Sequence, residues 1–144
     1  MENSEDLRVL NSIYRGAKTG SQAISDLLPQ VEDSRLRADL TTQKGEYETI
    51  GADAANRMCA LGGRPEEVPA LKKAGMKLGV AMNTAMDVSS SHLAELMIRG
   101  STMGITNMTK VLNAYTPADR AISGLGNRLI TVEQQNIDRL KVYL

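Results

Sequence analysis

What this chain goes without narrows what it can be. It has a single cysteine, Cys59, so no disulfide can form within it, and such sparing use suits a reducing compartment. Phe and Trp are absent and Tyr occurs only four times, which removes the aromatic platforms that stack bases. Neither charge is in excess: seventeen basic residues stand against seventeen acidic ones. Nothing electrostatic therefore points to nucleic acid or to an anionic membrane surface. No apolar run approaches the roughly 18 residues needed to cross a bilayer. The first residues, Met-Glu-Asn-Ser-Glu-Asp, are acidic and read as no secretion signal. There is no glycine-rich phosphate loop, no Ser/His/Asp set and no Cys-x-x-Cys pair. These absences lead to the expectation of a cytoplasmic protein with no nucleic-acid partner, no membrane partner and no cofactor.

What is present is helical. Ala, Leu and Met are plentiful, and apolar residues recur every three to four positions. Leu7, Leu10, Tyr14, Ala17, Ser21, Ile24 and Leu28 predict a first helix over residues 4–28, which Pro29 ends. After Glu32-Asp33-Ser34, a capping cluster, Leu36, Leu40, Gln43, Tyr47, Ile50, Ala54, Met58 and Leu61 predict a second over 33–61, stopped by Gly62-Gly63. A shorter stripe predicts a helix over 70–86. Leu93, Met97, Gly100, Gly104, Met108 and Val111 predict a helix over 91–114. The phrase Thr116-Pro117-Ala118-Asp119, with Thr as cap and Pro at the first helical position, predicts a last helix over 117–143.

The chain also repeats itself. Tyr14 to Leu28 and Ile98 to Leu112 each carry Arg-Gly, a second Gly four residues on and a Leu eight residues later, an offset of 84. The second and last helices echo each other at an offset of about 90, so two like hairpins are joined by a long connection. With the phrase Ala94-Glu95-Leu96-Met97-Ile98-Arg99-Gly100, this order resembles small bacterial ferritin-like domain proteins. The resemblance implies an all-α, up-down-down-up four-helix bundle with a shorter helix in the crossover, one domain over 1–144.

In that superfamily a di-iron site takes one Glu from each of two helices and a Glu-x-x-His pair from each of the other two. Here Gln43-x-x-Glu46 and Glu133-x-x-Asn136 fall in the register of the pairs, and neither contains a histidine. Gly16 or Ala17, and Met97, Gly100 or Ser101, stand level with them on the other helices, and none is a carboxylate. The one histidine, His92, opens the fourth segment. The expectation is a degenerate inter-helix polar site of Gln43, Glu46, Glu133 and Asn136, with no metal and no catalytic residue. Its ordinary reading is an amide pair, Gln43 and Asn136, that hydrogen-bonds across helices to fix register. Glu46 and Glu133 then read as solvated carboxylates on helix faces. Gly16, Gly20, Gly100 and Gly104 are expected to let the first and fourth segments pack closely. Arg15 and Arg99 read as surface residues.

The function expected is that of a non-catalytic structural or interaction protein, forming a homodimer through leftover apolar surface. Two alternatives stand beside it. One is a metal-binding or ferroxidase-type protein with an atypical carboxylate and amide site. The other is a binder of small ligands or peptides through the Met-rich crossover and the helix after it.

Overall fold

The structure is a computed structural model that describes residues 2–66 and 88–144, so the helix expected over 70–86 lies outside the described residues. Four long helices carry the fold: α1 (Glu2–Leu27), α2 (Ser34–Ala60), α3 (Ser90–Asn113) and α4 (Arg120–Leu140). Single 3-10 turns, Leu28–Gln30 and Lys141–Tyr143, follow α1 and α4. At 1.5 Å per residue α2 runs about 40 Å.

Helix starts are set by local chemistry. Asp33 caps α2 by accepting from the Leu36 amide at 2.9 Å, and Ser89 caps α3 through the His92 amide at 3.2 Å. Each satisfies a donor that the first turn cannot. Gly62, at φ +84°, turns the chain out of α2, and the Gly63 amide closes back on Met58 O at 2.9 Å. The next passage is tight, since a Cβ on Gly63 would sit 2.6 Å from Leu7.

One start differs from the sequence reading. The cap of α4 is Asp119, which accepts from the Ile122 amide at 3.0 Å, so the helix begins at Arg120 and not at Pro117. Asp caps at least as well as Thr. Tyr115 also holds the loop in place: its hydroxyl accepts from the Asp119 amide at 3.1 Å and donates to Asp6 of α1 at 2.5 Å.

The pairs between α2 and α4 fix the topology. Asp39 meets Tyr143, Glu46 meets Arg139 and Asp53 meets Arg128, so numbering rises along one helix as it falls along the other. With α1 antiparallel to α2 and α3 antiparallel to α4, α2 and α3 point the same way. Residues 61–89 therefore join opposite ends of an up-down-down-up bundle. Leu10, Ile13, Ile24, Leu36, Leu40, Ile50, Leu93, Ile122 and Leu129 fill its axis and are almost entirely buried. Val9 and Ile13 join the core although the expected stripe omitted them.

Candidate functional site

Midway along the bundle the apolar core is interrupted by five buried polar side chains. Gln43 and Tyr47 come from α2, Ser101 from α3, and Glu133 and Asn136 from α4. They share one face because Gln43 and Tyr47 are four residues apart, and Glu133 and Asn136 three apart.

Four of the five form a network. Glu133 Oε1 accepts from the Tyr47 hydroxyl and, at 3.1 Å, from Ser101 Oγ. Asn136 Nδ2 donates to the Tyr47 oxygen at 3.4 Å, so the phenol both gives and receives. Glu133 is only 5 % exposed. Burial pushes its carboxyl up to about 7, and the bonds from Tyr47 and Ser101 hold it from going higher. Burial and the adjacent Glu133 push the Tyr47 phenol above its ordinary range.

Of the residues expected at this site, Glu133 is not a solvated face carboxylate, because the geometry of α4 turns it inward. Glu46 does lie on the surface, where its Oε1 accepts from Arg139 Nη1 at 3.0 Å. The expected Gln43–Asn136 amide bond is not made, since Asn136 has turned to Tyr47. Both amide atoms of Gln43 and Asn136 Oδ1 are buried without a partner among the described residues. Tyr47 and Ser101 complete the network, and sequence reading gave neither a role in it. Tyr47 was counted as an apolar stripe residue, although its place four residues after Gln43 was the available signal.

Two of the repeated glycines, Gly20 and Gly104, serve this network. A Cβ on Gly20 would lie 2.6 Å from the Tyr47 ring, and one on Gly104 would collide with Glu133 Oε2. These matching positions of the sequence echo therefore make room for the two central polar groups. Gly16 admits Leu129 in the same way at 3.2 Å, while Gly100 has nothing within 4 Å. What results between α1 and α3 is a groove of about 360 Å³, with Met97, Met108 and Val111 on one wall and Tyr47, Leu129 and Glu133 as its floor. Arg15 stands exposed at its mouth. Arg99 points elsewhere and pairs with Glu95 of its own helix at 3.3 Å. His92 is half-buried near that same Glu95, and Cys59 is exposed.

A di-iron centre does not fit these residues. It needs carboxylates converging from several helices together with imidazole. Here Glu133 is the sole acid buried among the described residues, and its Oε1 is already taken by two protein donors. Glu46 is held outside by Arg139, and α1 and α3 present glycine at the points nearest the network. Among the described residues no three His, Cys, Asp or Glu side chains come together.

No family model matches the chain, and no curated protein does. Among solved structures it is similar to Dps from Thermosynechococcus elongatus, with a TM-score of 0.51 and 17 % identity over 94 % of this chain and 89 % of that one. At that identity the likeness concerns the fold, which is ferritin-like. No described helix is long and apolar enough to cross a membrane.

Proposed function

We propose that this protein is a non-catalytic structural or interaction module of ferritin-like fold, in which a side-chain network stands where the superfamily's di-iron site would be. The observation that carries this reading is the partnership of Glu133. The one buried carboxylate among the described residues is bonded to Tyr47 and Ser101, and the neighbouring helices offer glycine in place of further acids. Purified protein incubated with Fe(II) or Mn(II) is expected to retain substoichiometric metal and to oxidise iron no faster than buffer. About two metals per chain by elemental analysis would overturn the reading.

The reading in which Glu46 and Glu133 hold a metal with help from the amides is opposed by the Glu46–Arg139 pair. Replacing both glutamates would abolish any metal-dependent rise in melting temperature if such a site existed. The ligand-binding reading is favoured by one observation, the groove between α1 and α3. We also read the protein as a cytoplasmic homodimer. The exposed Met103 beside the groove and the length of the apolar stripes support the dimer, which sedimentation checks.

A further inference from the structure

Glu133 is a buried carboxylate with which no cation pairs among the described residues. Its Oε1 is satisfied by Tyr47 and Ser101, but among the described residues no donor bonds Oε2, and the carboxyl lines the groove floor. The elements packed around it offer little charge. α1 presents Gly16 and Gly20, α2 presents the Tyr47 phenol, and α3 presents Ser101 and Gly104. Among the described residues that line the groove, Arg15 is the one charged side chain apart from Glu133, and it lies exposed at the mouth. An ionised carboxylate in such surroundings is costly unless something pairs with it. The walls are mainly apolar, with Thr19 and Asn107 as uncharged polar exceptions, and through Met97 and Met108 they can adapt in shape. About 360 Å³ falls within the range of small-molecule pockets.

We propose that the groove between α1 and α3 binds a small organic ammonium, its apolar body lying between the helices and its amine donating to Glu133 Oε2. The missing countercharge then comes with the ligand. A neutral hydrogen-bond donor would leave the carboxylate charge uncompensated, and a carboxylate ligand would add a second negative charge beside the first. A hard metal ion finds a single free carboxylate oxygen among thioethers, which are poor donors for it. The inference rests on the reading that Glu133 is not a metal ligand.

Calorimetry at about pH 8, where Glu133 is ionised, separates these cases, with hexylamine, hexanol and hexanoate as probes. Hexylamine is expected to bind one to one and about tenfold or more tighter than hexanol, with no binding of hexanoate. Glu133→Gln is expected to lower hexylamine to the affinity of hexanol and to leave hexanol unchanged. Gly100→Leu projects into the groove from a point where no atom meets a new Cβ, without touching Glu133. It is expected to abolish binding of both probes while the melting temperature holds or rises, and it carries the test should Glu133→Gln fail to fold. Equal affinity for amine and alcohol, or amine binding that survives either substitution, overturns the proposal. If hexylamine fails to bind a protein that also takes up no iron, the ligand inference alone falls. If Fe(II) binds stoichiometrically and displaces hexylamine, the metal-free reading of Glu133 falls with it.

Discussion

The bundle has two seams between its hairpins, and they are built on opposite plans. Along α2 and α4 the seam is laced from the outside: Arg139 to Glu46 at 3.0 Å, Arg128 to Asp53 at 2.8 Å, and Tyr143 to Asp39 at 2.5 Å. Along α1 and α3 none of the ion pairs or side-chain hydrogen bonds among the described residues joins the two helices, and four glycines thin the walls instead. One seam is closed by polar side chains at the surface, the other opened by missing side chains to expose a polar floor. Among the described residues, the central carboxylate lines the groove between α1 and α3, while the Glu46–Arg139 pair closes the α2–α4 side.

The largest effect that separates the seams should come from pH. Glu133, with its carboxyl raised from the ordinary 4.5 to about 7, holds a proton in the folded state that the unfolded chain has already released. Stability therefore falls as pH rises through that window, by about 3 kcal/mol in all. Urea titrations of the wild type between those pH values should show the fall, and Glu133→Gln should flatten it. Glu46, exposed in the laced seam, should leave the profile unchanged when replaced by Gln.

Next in size is the contrast between two glycines of one groove. Gly20→Ala drives a methyl into the Tyr47 ring and should cost about 1–3 kcal/mol. Gly100→Ala meets nothing and should gain up to about 1 kcal/mol through helix propensity. Denaturation midpoints of the same sign would refute the account of why these residues are glycine. Tyr47→Phe removes one donor from Glu133 and the acceptor of Asn136, at about 1–2 kcal/mol, and should move the Glu133 titration, followed by carboxyl NMR, further upward. The smallest effect belongs to the laced seam. Arg139→Ala should cost no more than about 1 kcal/mol, a loss that vanishes in high salt.

How far the sequence could be read depended on which force set each feature. Helix positions follow from apolar spacing, which burial enforces directly, so the stripes from Leu36 to Met58 and from Ile122 to Leu140 lie where the spacing put them. Thr116-Pro117 is a sound local signal for the start of α4, but the helix is capped by Asp119, whose amide is also held by the Tyr115 hydroxyl that reaches Asp6. At the site, register put Gln43, Glu46, Glu133 and Asn136 level with one another but read both carboxylates as solvated, and Glu133 is instead buried. It could not tell that Glu46 would turn toward Arg139, since that depends on the rotation of α2 against α4. The glycines were legible as places where bulk is missing. What fills or leaves that space is a three-dimensional matter: Tyr47 and Glu133 at two positions, open groove at another.

The tyrosine hydroxyls have a further consequence. Tyr47 reaches from α2 to Glu133 of α4, Tyr115 from the loop before α4 to Asp6 of α1, and Tyr143 from beyond α4 to Asp39 of α2. All three cross from one hairpin to the other, and each ends on a carboxylate, a contact that quenches phenol emission. In a chain without tryptophan they are three of the four rings that carry the intrinsic fluorescence, Tyr14 being the fourth, so most of its rise on unfolding will mark the parting of the two hairpins rather than the melting of either one.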